Sequence, residues 1–211
     1  MPRAGLAYDV IVDEAARQAD EDGFDRLSLA RIARHFGVAL PSLYKHVDGL
    51  EAVRRGVSVR AVEELGSALA DAVARVGAVD GGAELRAIAD AYRGYARAHP
   101  GRYAATVRAP VLGDAEHEAA AARVLGTIFA TLAARGLTGP DAVDAARALR
   151  AALHGFVSLE AGGGFGMPED VDRSFARLVA AVDAGIGTWG VRAPGGAREG
   201  GGAREGGAGS V

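Results

Sequence analysis

Ser42, Tyr44, Lys45 and His46 bring two hydroxyls, an ammonium and an imidazole almost side by side, and Lys45 is the only lysine in the 211 residues. Hydroxyls can donate to phosphate oxygens, while a lysine and a histidine can reach phosphates or base edges. Just ahead, Leu40 and Pro41 offer apolar contact to a thymine methyl. This is equipment for gripping duplex nucleic acid, not for making or breaking bonds. The rest of the chain adds little that could catalyse. It has no HExxH, no nucleophile elbow and no phosphate loop. The glycine-rich GGGFG at 162–166 follows a helical pattern, which argues against a nucleotide cradle. In GDAEHEAA, Asp114, Glu116, His117 and Glu118 are near neighbours whose side chains diverge on a helix, a poor arrangement for a metal. No catalytic residue, metal ligand or cofactor is therefore expected.

The elements that must position these residues read as helices. Ile11, Ala15 and Ala19 form a stripe on a first helix over about 6–22, which Gly23 stops. Ser28 caps a second helix that runs to Phe36. Gly37 supplies the positive φ of a tight corner. A third helix is expected from about Leu40 to His46, with Pro41 in its first turn. Ala33 is the small residue where two helices crossing at a tight angle would touch. Ile32, Phe36, Val38 and Leu43 are spaced to point back at the first helix. The pattern is that of a helix-turn-helix. With Leu43 turned inward, Ser42, Tyr44, Lys45 and His46 face outward, on a cylinder about 10–12 Å wide that fits the major groove. A solvated helix with ordinary polar residues is the plain alternative.

Beyond residue 49 the pattern lengthens. Leu50, Val53, Val57, Ala61, Leu65, Leu69, Val73 and Val76 define one long amphipathic helix that ends at Gly77. A fifth helix stops before Pro100, and a short helix or turn is expected within 101–113. A seventh helix spans about 115–135, an eighth about 140–161, and a ninth opens at Pro168, Glu169 and Asp170. Nothing reads as a strand, so an all-α fold is predicted. From Val191 the chain turns to GGAREGG and a near copy, a composition expected to be disordered. The expected division is a three-helix DNA-binding unit over 1–48, a ligand-binding and dimerisation unit over 49–190, and a tail over 191–211.

Charge alone does not point to nucleic acid. The net charge is -3, and residues 1–60 carry nine basic and nine acidic side chains. Recognition must rest on where the cations stand. The absence of cysteine excludes disulfides and thiolate metal sites and fits a cytoplasmic protein. No apolar run is long enough to span a membrane, and the N-terminus lacks a signal core.

The stretch LSLARIARHFGVALPSLYKHVDGLEAV, residues 27–53, resembles the TetR/AcrR family of transcriptional regulators. Gly37-Val38, Leu43-Tyr44 and His46 match the family pattern. Ala39 stands where that pattern has a capping Ser or Thr, Val47 where it has Phe, and Leu50 where it often has a phosphate-binding Lys. Lys45, Arg54 or Arg55 is a candidate to supply the missing contact. The segments YARAHPGRYAA and LHGFVSLEAGGGFGMPEDVDRSFARLV resemble the C-terminal domain type named for a Trp-His-Gly motif, with Leu153 in place of Trp. The resemblance implies a homodimer through the eighth and ninth helices, acting on a pseudo-palindromic double-stranded operator. It also implies a pocket within the fourth to eighth helices for a small-molecule effector that releases a repressor. The candidate DNA contacts are Ser28, Ala39, Leu40, Pro41, Ser42, Tyr44, Lys45 and His46. The candidate pocket residues are Tyr92, Tyr95, His99 and Phe129, with His154 a hydrogen-bonded core histidine or a ligand contact. A helical interaction or small-molecule-binding module without DNA binding is the alternative.

Overall fold

The computed structural model describes residues 6–77, 81–108 and 113–189, and every regular element among them is helical. The elements are α1 (Tyr8–Asp22), a 3₁₀ turn (Phe24–Arg26), α2 (Leu29–Phe36), α3 (Leu40–Leu43), α4 (Leu50–Val76), α5 (Gly81–Ala98), α6 (Pro100–Ala105), α7 (Ala115–Ala134), α8 (Gly139–Ala161) and α9 (Val171–Trp189). The glycine and proline punctuation explains the boundaries. Gly23, Gly37 and Gly77 stop α1, α2 and α4, and α5 ends just ahead of Pro100. The expected tail lies outside the described residues.

Two apolar clusters organise the helices. In the first, Ile11, Val12 and Ala15 of α1 meet Ile32 and Ala33 of α2, Leu43 of α3, and Val53 and Val57 of α4. In the second, Leu65 and Leu69 of α4 meet Leu85 and Ile88 of α5, Leu132 of α7, Leu149 and Leu153 of α8, and Phe175 and Ile186 of α9. Helix α4 belongs to both, because its apolar stripe continues past the point where its neighbours change. Ala105 of α6 is buried in the first cluster, while Tyr103, two residues earlier, is buried in the second. No single described helix is long and apolar enough to cross a membrane.

Two local differences from the sequence expectation have physical causes. The third helix does not reach His46. It ends at Leu43, and the His46 N–H donates to the Leu43 carbonyl at 2.8 Å, three residues back, which tightens the chain into a turn. Ala39 has no side-chain oxygen to cap this helix, so little favours extending it. The tight turn leaves Leu43 and Val47 0% and 4% exposed. The Phe24–Arg26 turn was not expected. It follows Gly23, whose φ of 100° redirects the chain so that Phe24 enters the core.

Candidate nucleic-acid interface and the cavity behind it

The corner between α2 and α3 is set by Gly37, whose φ of 65° and ψ of 30° lie in the left-handed region. A Cβ there would touch nothing, so glycine is needed for the dihedral and not for space. Val38 N–H donates to the Ala33 carbonyl at 3.0 Å, which closes the end of α2. At the other end, the Ser28 hydroxyl accepts from Arg31 N–H at 3.3 Å. Ser28 is thus a working cap, and its own O–H remains available to donate. Beneath the corner, the buried Glu14 of α1 accepts from Arg17 and Gln18 and lies 3.1 Å from His35 Nδ1 of α2. Burial raises the Glu14 pKa, but the bonds from Arg17 and Gln18 outweigh it and hold the carboxyl below its usual range.

The candidate contacts mostly face solvent. Ala39, Leu40, Pro41, Tyr44, Lys45 and His46 are exposed, and Ser42 is half-buried. Tyr44 is 57% exposed although it is flanked by the fully buried Leu43. Lys45 has no ion-pair partner among the described residues. The two arginines considered as substitutes for the family lysine are occupied. Arg54 donates to Glu51 and to the Asp25 carbonyl. Arg55 grips both oxygens of Asp114 at 2.6 and 2.5 Å and reaches Glu116 at 2.8 Å. Of the three candidates, Lys45 is the one without an ion-pair partner among the described residues. Arg34, passed over in the sequence, is also exposed without an ion-pair partner among the described residues.

A cavity of about 460 Å³ lies within α4, α5, α7 and α8, next to α6. Of the candidate pocket residues, Tyr92 and Phe129 line it; Tyr95 and His99 do not. Those two turn toward an ionic cluster instead. Tyr95 donates to Glu64 at 3.0 Å, and His99 Nδ1 lies 2.6 Å from an Arg102 nitrogen. Arg102 in turn binds Asp20 of α1 at 2.7 Å and Glu64 of α4 at 2.8 Å. The Tyr95 phenol is raised above its usual range by burial and by the neighbouring Glu64. The sequence grouped these residues because they share one face of α5. Tyr92 and His99 nonetheless stand about 10 Å apart along the axis, where different helices cover that face.

His154 is hydrogen-bonded, its Nδ1 lying 2.6 Å from the Tyr103 hydroxyl, which lies 2.9 Å from that of Tyr92. This chain links the cavity wall to a second, more open hollow of about 610 Å³ beside Tyr103 and His154. The cavity wall also carries Arg108, His117, Arg147 and Arg150, none singled out from sequence as pocket residues. For Arg147 and Arg150, the spacing of Val143, Ala146, Arg147, Arg150 and Leu153 on α8 is the signal that they share a face with core residues.

Comparison with known proteins agrees with this architecture. Residues 11–49 match the family described as bacterial regulatory proteins of the tetR family, and residues 85–182 match a tetracyclin repressor-like C-terminal domain. The chain is 40% identical over 189 residues to the uncharacterised HTH-type transcriptional regulator Rv0681 of Mycobacterium tuberculosis, covering 87% of this chain and 83% of that one. It is 32% identical over 186 residues to the uncharacterised HTH-type transcriptional regulator YobS of Bacillus subtilis, covering 88% and 95%. Among solved structures, a protein of unknown function from Rhodococcus sp. RHA1 superposes with a TM-score of 0.71 at 25% identity, covering 89% of this chain and 96% of that one. A TetR protein of Acinetobacter baumannii AYE, solved with minocycline, shares the fold with a TM-score of 0.64 at 21% identity, covering 89% and 99%. The chain belongs to the TetR family of transcriptional regulators, with an N-terminal helix-turn-helix DNA-binding domain and a helical C-terminal part.

Proposed function

We propose that this regulator is a homodimeric repressor that holds a pseudo-palindromic operator and is released by a small molecule bound in the α4–α8 cavity. The observation that carries the DNA contact is the outward set Tyr44, Lys45 and His46, fixed by the inward anchors Leu43 and Val47, with no ion-pair partner for Lys45 among the described residues. In this reading residues 1–48 form the DNA-binding unit and residues 49–190 the effector and dimer unit. Ser28, Ala39, Leu40, Pro41 and Ser42 complete the contact surface.

The dimer reading rests on α8 and α9. Ala148, Ala151, Ala152, Gly155 and Leu159 form a seam beside the buried Leu149 and Leu153, and they remain exposed or half-buried. On α9, Leu178, Ala181, Val182, Gly185 and Trp189 do the same. Small residues on both helices allow a second copy to approach closely. Two-fold symmetry would present two α3 segments to successive major grooves, about 34–36 Å apart.

Helix α6 supplies a route from the effector to the DNA-binding unit. Thr106, Val107 and Arg108 just beyond it line the cavity, while Arg102 and Ala105 within it engage α1 and the first apolar cluster. A ligand that displaces α6 would shift α1, and a coupling of about 1–3 kcal/mol is enough to lower operator occupancy substantially. The test is selection of fragments from genomic DNA by the intact protein and by Lys45→Ala at two salt concentrations. Enrichment of a few palindromic sites, weakened by salt and lost in the variant, is the expected result. No enrichment at either salt would overturn the DNA reading.

A further inference from the structure

The charge on the cavity wall narrows the effector class, on the reading that this cavity is the effector site. Its body is apolar, built by residues such as Leu65, Ile88, Val124, Ile128 and Phe129. Among the described residues its charged lining has one sign: Arg108, Arg147 and Arg150 contribute guanidinium groups, and no aspartate or glutamate lines it. The three arginines differ in their commitments. Arg108 is bound to Glu51 at 3.0 Å, and Arg147 lies 3.5 Å from Asp144, one turn away on α8. Arg150 has no hydrogen bond or ion pair among the described residues. Burial raises the pKa values of the Tyr92 and Tyr103 phenols, and Arg150 lies close enough to both to oppose that rise.

We infer that the cavity takes an amphipathic organic anion, a carboxylate on an apolar chain or ring, with the carboxylate paired to Arg150 at the cavity wall and the apolar body against Val124, Ile128 and Phe129. The physical reason is what each kind of ligand does to Arg150. A neutral apolar ligand would strip water from that guanidinium and give it nothing in return. A cationic ligand would meet repulsion from Arg150, whose charge no ion pair among the described residues offsets. A carboxylate replaces the lost water with a charge-assisted, two-pronged hydrogen bond. Tyr92 can assist. When the Nδ1–H tautomer of His154 donates to Tyr103, Tyr103 donates to Tyr92, and the Tyr92 O–H is then free to donate toward the cavity. The volume of about 460 Å³ suits a ligand of this kind.

The experiment is titration calorimetry of the full chain with two matched pairs, decanoate against decanol and 2-naphthoate against 2-naphthol, on the wild type, Arg150→Gln and Arg150→Lys. Arg150 is exposed, so neither substitution disturbs the core. In at least one pair the acid should bind about tenfold more tightly than the alcohol. Arg150→Gln should remove that preference while leaving the alcohol's affinity unchanged, and Arg150→Lys should restore much of it. Equal binding of acid and alcohol would overturn the anion assignment while leaving the cavity as a ligand site. A preference that survives Arg150→Gln would place the anion elsewhere and overturn it too. Failure of all four probes to bind would also overturn it. Operator binding by the same preparations, measured without any probe, reports separately on the DNA reading.

Discussion

Around the α2–α3 corner, single positions divide cleanly between buried and exposed. Leu43 and Val47 are buried, and Tyr44, Lys45 and His46 between them are exposed. Lys45→Ala should therefore leave the fold intact, weaken binding to the selected operator, and reduce the slope of log affinity against log salt by about one for each protomer's phosphate contact. Circular dichroism and a salt titration of operator binding check both halves. An unchanged slope would show that Lys45 does not face phosphate. Tyr44→Ala should also weaken binding but leave the slope nearly unchanged, because a hydroxyl releases no counterion. Much of this surface was legible in the sequence, since one inward leucine and one turn glycine fix which neighbours point outward. The pocket residues were less legible. Tyr92 and His99 share a helical face, and nothing in their spacing says that the first meets a cavity and the second meets Arg102. The arginines on the cavity wall were hidden for a related reason: an arginine is read as solvated until the helix opposite it is known.

Between elements, ion pairs across long sequence separations add to the apolar clusters, and periodicity cannot reveal them. Arg55 near the start of α4 and Asp114 at the start of α7 are 59 residues apart, and Asp114 also caps α7 by accepting from His117 N–H at 3.2 Å. Hydrogen bonding from Arg55 holds the Asp114 carboxyl at about 2, below its ordinary value of 3.8. Because the folded-state pKa is the lower one, the stabilisation is complete above about pH 4 and is lost as pH falls toward 2. Asp114→Asn should therefore flatten the loss of stability over that acid window, which urea unfolding at a series of pH values would register. A wild-type slope in the variant would mean the clamp does not contribute. The contact between α1 and α6 depends on a missing side chain instead. A Cβ on Gly101 would lie 1.9 Å from the Ala19 carbonyl oxygen, so the two backbones can pack this closely only with glycine. Gly101→Ala should force them apart, cost about 1–3 kcal/mol, and lower the melting temperature by several degrees. Hydrogen exchange in α1 should rise with it. Unchanged exchange in α1 would show that α6 does not brace the DNA-binding unit. The helix boundaries were readable because glycines and prolines mark them locally. The partner of each helix was not, because contacts such as that of Arg102 with Asp20 join residues 82 positions apart and leave no local mark.

For the whole molecule, the proposed dimer can be tested at a position where the isolated chain and the assembly make opposite demands. Gly155 sits within α8, on the exposed or half-buried seam with Ala151, Ala152 and Leu159, and a Cβ there would meet nothing inside the chain. In a lone protomer, replacing a helical glycine by glutamine removes a propensity penalty of up to about 1 kcal/mol, so Gly155→Gln should leave helix content intact and hold or raise the melting temperature of the protomer. In a two-fold dimer the same residue meets its partner's seam twice, and the added side chains must either separate the helices or be buried without partners. The expected result is a shift from dimer to monomer in sedimentation, at unchanged helix content. Operator affinity should fall with it, since two half-sites can no longer be engaged by one particle. Intact dimers in Gly155→Gln would show that this seam faces solvent and that two-fold recognition must be built on another surface. Monomers that keep full operator affinity would separate dimerisation from DNA binding. The position is informative because its backbone is ordinary helix and a Cβ there would meet nothing among the described residues, so a dimer lost on substitution would point to contact with a second copy.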